Sequence, residues 1–356
     1  MRVKSPFYII SLFTVMVYVN DKLDKISKTA IYRHITGFPE QIEFALNVDI
    51  GKLPKVSKVC ICGMGASGMA GDIMTDFADG FSEIPIPVIR GIELPKWVDS
   101  ETLVIVITYS GNTKEVLCLY DRAAVIGCKI VCITSGGELH RRCVENDNTL
   151  IQVPLKTSSR GSLGYILGFL ASVFEEAGIC NSKEELRRMI PSLKEFRDGL
   201  LEDKNNAAAT ISSSLEGKIP VIYGLTNMRS SAIRWKTQIN ENSKMIAFCG
   251  IVPEFNHNEI VGWTEDATSN NFIPVFLYDE DASEMMRVVV DTTIKMLLEK
   301  GIDVKVFKVR GNNMEKNLKC IILGDLVSLY LANSGNVDPC SIAAVSKVRE
   351  RISDSE

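Results

Sequence analysis

The residues best suited to chemistry sit in two short turns. Gly63-Met64-Gly65-Ala66-Ser67-Gly68 follows the apolar run Lys58 to Cys62, and Thr108-Tyr109-Ser110-Gly111-Asn112-Thr113 follows Leu103 to Ile107. Glycines allow a tight turn and a close backbone approach to a ligand. The N–H groups of a helix start then face an anion, aided by the helix dipole. In the second turn the hydroxyls of Thr108, Ser110 and Thr113 surround Gly111, a donor set that suits a phosphate monoester. Taken singly, each turn also fits an ordinary Ser/Asn helix cap. Two of them after different strands of one sheet favour a ligand, because ligands collect outside the carboxyl ends of strands.

Gly63, Gly65 and Gly68 also satisfy the glycine spacing of a dinucleotide fingerprint, a weak signal alone. That fingerprint expects an acid about twenty residues on, at the end of the second strand. Here Ile86-Pro87-Val88-Ile89 runs into Arg90-Gly91, and Glu83 precedes the strand, so a nicotinamide dehydrogenase is disfavoured.

Three further residues are candidates for proton and charge transfer. Arg160 follows Thr157-Ser158-Ser159 at the start of an apolar helix, where a cation can face developing negative charge. Glu241 closes Arg234-Trp235-Lys236-Thr237-Gln238-Ile239-Asn240, between amides and beside no basic residue, as a possible general base. Alone it is a weak signal, since most glutamates are solvated. His257 lies between two asparagines in what reads as a loop, and is one of three histidines with His34 and His140. Histidine titrates nearest neutrality, so it both gives and takes protons. No His/Cys/carboxylate cluster has metal-ligand spacing, so no metal or other cofactor is expected.

The elements that must carry these residues follow from apolar runs and their spacing. Strands are expected at 58–62, 86–89, 103–107, 129–134 and 150–153, with a largely apolar helix over 162–177. The unbroken run Leu103-Val104-Ile105-Val106-Ile107 reads as a strand covered on both faces. A charged helical stretch over 181–206, with Pro191 near its middle, reads as a linker. A second unit then begins at Pro220, with strands at 221–224, 245–249, 272–277 and 304–309. Its helices fall over 230–241, 282–298 and 314–332. Strands alternating with helices predict an α/β fold of two related lobes with mostly parallel sheets and a cleft between them.

Composition bounds the rest. At 356 residues two domains are expected. The net charge of −4 and the lack of a Lys/Arg stripe argue against nucleic acid. Ten cysteines without a Cys-x-x-Cys pair, several inside apolar runs such as Val59-Cys60-Ile61-Cys62, fit a reducing cytoplasm. The apolar run Phe7 to Val19 is too short to span a bilayer, and no small-x-small cleavage site follows it. It is expected to be an extra packed segment, or the product of a start placed too far upstream, rather than a secretory leader.

Taken in order, these blocks and Val337-Asp338-Pro339 resemble the bifunctional phosphoglucose/phosphomannose isomerase family, built from two sugar isomerase (SIS) domains. The resemblance covers roughly residues 35 to 350. It implies an extension over 1–34, a first SIS domain over 35–190, a helical linker over 191–210 and a second SIS domain over 211–356. It implies interconversion of glucose 6-phosphate and mannose 6-phosphate with fructose 6-phosphate, by ring opening and a cis-enediolate, without a metal. Gly65, Ser67, Ser110 and Thr113 would hold the phosphate, with Thr108 where the family often has serine. Glu241 would move the proton between C1 and C2, Arg160 would stabilise the enediolate, and His257 would assist ring opening from the partner subunit of a homodimer. The family's C-terminal lysine is matched by Arg349, with Lys347 two residues earlier, and Cys340-Ser341-Ile342 departs from the commoner Thr-Pro-Val. Lysine and arginine differ in reach and geometry. A non-catalytic SIS sensor, or an isomerase of another phosphosugar, would keep the hydroxyl turns; a sensor need not keep Glu241 and His257.

Overall fold

The computed structural model describes residues 26–155, 158–203 and 205–353. The run Phe7 to Val19 lies outside the described residues. The chain divides into two compact units, one of residues 34–198 with 311–319, the other of 199–310 and 320 onward with the described residues before 34.

Helices α1 (Ala30–Thr36) and α2 (Phe38–Leu46) precede strand β1 (Val59–Gly63) and helix α3 (Gly65–Ala78). Then come β2 (Val88–Ile89), β3 (Leu103–Ile107), α4 (Lys114–Ile126), β4 (Lys129–Thr134), α5 (Gly137–Glu145) and β5 (Thr149–Gln152). Helix α6 (Leu163–Glu176) closes this run. The five strands form one parallel sheet in the order β2-β1-β3-β4-β5. Every residue of β1 and β3 is buried, as their unbroken apolar character requires once helices cover both faces. The order reverses between β1 and β3, because β1 feeds β2 on one side and β3 feeds β4 on the other. Such a switch point opens a crevice at the carboxyl ends of the strands.

The charged stretch 181–206 is mostly α7 (Ser182–Glu202), a continuous helix with Pro191 inside it, followed by α8 (Ala207–Leu215). Asn206 caps α8 by accepting the Ala209 N–H at 2.9 Å.

The second unit repeats the plan with β6 (Ile219–Leu225), α9 (Arg229–Gln238), β7 (Phe248–Val252), α10 (Glu259–Glu265), β8 (Phe272–Asp279), α11 (Glu284–Glu299) and β9 (Lys305–Val309). Its parallel sheet has the order β7-β6-β8-β9, with the reversal between β6 and β8. Helices α12 (Asn313–Ser334) and α13 (Ala343–Ser353) follow.

Two expectations are corrected here. The helix expected over 230–241 ends at Gln238, and Ile239–Ser243 forms a π-helical turn that widens the chain around Glu241. The strand expected over 245–249 lies at 248–252, because Ile246 is 66% exposed and adds no core contact.

A buried polar seam joins α9 and its turn to α12. Arg234 forks onto Asp325, Nε to Oδ1 at 2.9 Å and Nη2 to Oδ2 at 2.7 Å, with both side chains almost fully buried. The Trp235 indole N–H donates to the Cys320 carbonyl at 2.6 Å, and Asn242 Nδ2 donates to Ser328 Oγ at 2.9 Å. Removing one partner of a buried pair strands the other charge without solvent. Asp325→Ala is therefore expected to lower unfolding stability by about 3–5 kcal/mol in a urea titration. A loss below about 1 kcal/mol would show that the pair does not hold the seam.

Candidate active site

The two glycine/hydroxyl turns leave the carboxyl ends of β1 and β3, on either side of the first switch point. Register places them side by side, since Gly63 pairs with Ile107 as the last couple of the ladder. In the first turn Gly65 takes φ +53° and begins α3. A side chain on Gly68 would meet the Gly63 carbonyl oxygen at 2.6 Å, so strand and helix start are tightly apposed. Ser67 is buried in this first helical turn, its N–H bonded to the Met64 carbonyl at 3.1 Å. Met64, the cap residue, supplies no side-chain cap.

In the second turn the expected hydroxyls converge. Thr108 Oγ1 lies 2.9 Å from Thr113 Oγ1 and 3.5 Å from Ser110 Oγ. Thr108 is buried and Ser110 is exposed, so the cluster runs from the sheet to the surface. Thr113 stands at the cap position of α4 but makes no capping bond, its hydroxyl being turned to Thr108. The ordinary-cap reading therefore fails at Thr113. Both helix starts keep N–H groups that no cap side chain takes, the arrangement that receives an anion.

A third turn, absent from the sequence reading, completes the group. Thr134-Ser135-Gly136-Gly137 leaves β4 and clamps the hydroxyl turn from its far side. Ser135 donates to the Tyr109 carbonyl through Oγ at 2.6 Å and through its N–H at 3.0 Å. The Glu138 N–H donates to Asn112 Oδ1 and the Leu139 N–H to the Gly111 carbonyl, both at 2.9 Å. Gly111, at φ +71°, sits so close that a Cβ would overlap the Gly136 carbonyl. The signal that could have found it is a Thr-Ser-Gly-Gly run directly after a buried strand.

Arg90, which occupies the place of the missing dinucleotide acid, donates to Asp72 on α3 at 2.6 Å. A cation there gives no acceptor for a ribose hydroxyl. Arg160 opens a 3-10 turn before α6 and is only 6% exposed, against the surface position usual for arginine. The turn is fixed from α2, where Gln41 Nε2 donates to the Gly161 carbonyl at 2.8 Å. Among the described residues no group of three or more His, Cys, Asp or Glu side chains is placed to hold a metal ion.

Glu241 and His257 belong to the second unit. Glu241 is half-buried within the π turn, between Asn240, whose Oδ1 accepts the Ala247 N–H at 2.9 Å, and Asn242 on Ser328. Lys244 Nζ donates to the Glu241 backbone carbonyl at 2.5 Å. His257 ends a 3-10 turn, Glu254–His257, rather than an irregular loop, and is exposed. The turn is anchored by Phe255, packed edge-on to Tyr223 at 4.7 Å, and by Thr293 Oγ1 donating to Asn256 Oδ1 at 3.0 Å. Tyr223 donates to Glu259 at 2.7 Å, and burial beside that carboxylate pushes its phenol well up. The two candidates lie at opposite ends of one edge strand of the second sheet, Glu241 before β7 and His257 after it. Lys347 and Arg349 both lie exposed on α13.

The family described as bacterial phospho-glucose isomerase C-terminal SIS domain matches residues 204–352. A bifunctional phosphoglucose/phosphomannose isomerase of Aquifex aeolicus is 34% identical over 90% of this chain and 98% of its own. One of Caldicellulosiruptor bescii is 31% identical over 91% of this chain and 99% of its own. The chain belongs to the bifunctional phosphoglucose/phosphomannose isomerase family. A hypothetical protein from Thermus thermophilus, 14% identical, shares the fold with a TM-score of 0.74 over 95% of this chain and 94% of that one.

Within this family member the hydroxyl turn depends on the close contact at Gly111. Gly111→Ala forces a side chain into a left-handed backbone and against Gly136. Its binding of inorganic phosphate, read by isothermal titration, is expected to weaken by about tenfold or more. Unchanged affinity would detach this turn from anion binding.

Proposed function

We propose that the protein interconverts glucose 6-phosphate and mannose 6-phosphate with fructose 6-phosphate through ring opening and a cis-enediolate. The observation that carries this reading is the convergence of Thr108, Ser110 and Thr113 beside the Gly63–Gly68 turn, in a chain of this family. The phosphate rests on Ser67, Ser110 and Thr113, with Thr108 behind them and the Gly65 backbone alongside. Helix-start N–H groups and neutral hydroxyls supply the many short hydrogen bonds that a dianion needs. The sugar end is then left free for chemistry.

Opening the pyranose ring requires a proton at the ring oxygen and loss of one from the C1 hydroxyl, a task for a group of near-neutral pKa. His257 takes that role. Glu241 then carries a proton between C1 and C2, and Arg160 faces the enediolate oxygen, with Arg349 or Lys347 as the C-terminal cation. Protonation of C2 on either face, after rotation about a bond of the open chain, gives either epimeric aldose. No metal or other cofactor has a step in this scheme.

Glu241 and His257 of one chain leave opposite ends of the same strand. This supports a homodimer in which His257 serves the neighbouring chain. The cysteines, all ten free thiols, support a reducing, cytoplasmic setting. Among the described residues no helix is long and apolar enough to cross a membrane.

A coupled assay from fructose 6-phosphate, reading glucose 6-phosphate and mannose 6-phosphate separately, tests the activity. Glu241→Gln is expected to lower both rates by about a thousandfold while binding stays within a few-fold. Full turnover by that variant removes Glu241 from the mechanism, and a wild type without turnover leaves a sugar-phosphate sensor. Mixing inactive Glu241→Gln with inactive His257→Ala tests the shared site. Random re-pairing gives about half mixed dimers, each with one intact site, and so restores about a quarter of wild-type activity. No recovery after proven exchange places the histidine in its own chain's site.

A further inference from the structure

Lys244 closes the Glu241 turn in a conformation that its residue type seldom adopts. Its backbone stands at φ 60° and ψ 17°, in the left-handed region where glycine or asparagine is usual. Its side chain is exposed, so burial does not hold it there. Its ammonium group reaches in two directions. Nζ donates to the Glu241 carbonyl at 2.5 Å and to the Ser341 carbonyl at 2.8 Å. The first bond neutralises a carbonyl at the end of the helix, where a cation is favourable. The second spans 97 residues of sequence to the root of α13.

Helix α13 needs such an anchor. It begins two residues after Ser341 and is largely exposed, with Val345, Val348 and Ile352 at 40%, 60% and 39%. Lys347 and Arg349 ride on it, so their placement depends on how its first residues are held. The π turn is itself clamped on both flanks, by Asn240 on Ala247 and by Asn242 on Ser328. Lys244 thus ties a rigid turn to an otherwise exposed helix.

We infer that Lys244 is a positioning residue for the isomerisation, pinning the Glu241 turn and the root of the cation-bearing helix to one another. The inference rests on the reading of Glu241 as the base. The two bonds from Lys244 Nζ go to backbone carbonyls, and its effect passes through Glu241 and α13. An ordinary turn lysine would affect neither rate nor affinity. A merely structural strut would lower stability and activity together.

Lys244→Gly separates these roles, because glycine accepts φ 60° without strain while the ammonium is lost. Expected is a fall in kcat of about tenfold, with KM for fructose 6-phosphate within about twofold and the thermal midpoint not lowered. Lys244→Arg keeps a cation of similar reach and should recover much of the rate. The inference is overturned if Lys244→Gly keeps kcat within about twofold of wild type, or if its kcat falls only in step with a lowered midpoint. Glu241→Gln assayed alongside tells the two readings apart. If it turns over, the base assignment fails; if it is inactive while Lys244→Gly is unimpaired, this inference alone fails.

Discussion

The pairing of Gly63 with Ile107 is the constraint on which the placement of the two glycine and hydroxyl turns depends. Parallel register from Val59–Leu103 to Gly63–Ile107 ends β1 and β3 at the same height. Both following turns then open at one level, side by side across the switch point. The turn that leaves β4 adds the remaining restraint, because Ser135 grips the Tyr109 carbonyl and leaves the Ser110 side chain at the surface.

The second sheet repeats the reversal of strand order, and a carboxylate stands at the end of one of the two strands that flank it. There β8 ends in Asp279, a buried acid that accepts from Asn227 Nδ2 at 3.2 Å. Carboxyl oxygens are acceptors, where a phosphate needs donors. The first unit carries the glycine and hydroxyl turns, and the second carries Glu241 and His257 on a frame of its own. That frame is polar inside, and the Arg234–Asp325 pair at its centre allows α9 to lie along α12 without an unpaired buried charge.

Much of this was legible in the sequence wherever one local signal acted alone. Leu103–Ile107 and Lys129–Thr134 are strands with the expected ends, because unbroken apolar runs bounded by polar residues leave little choice. The hydroxyls of Thr108, Ser110 and Thr113 were readable as a group for the same reason. Strand order was not readable, since it is set by which faces pack together and not by any segment. At Met245-Ile246 local apolarity misled, as Ile246 is solvent-facing. The π turn was hidden because an inserted residue leaves no mark in helical periodicity. Lys244 escaped notice for a related reason: a lysine carries no signal for left-handed backbone, and its partner Ser341 is 97 residues away.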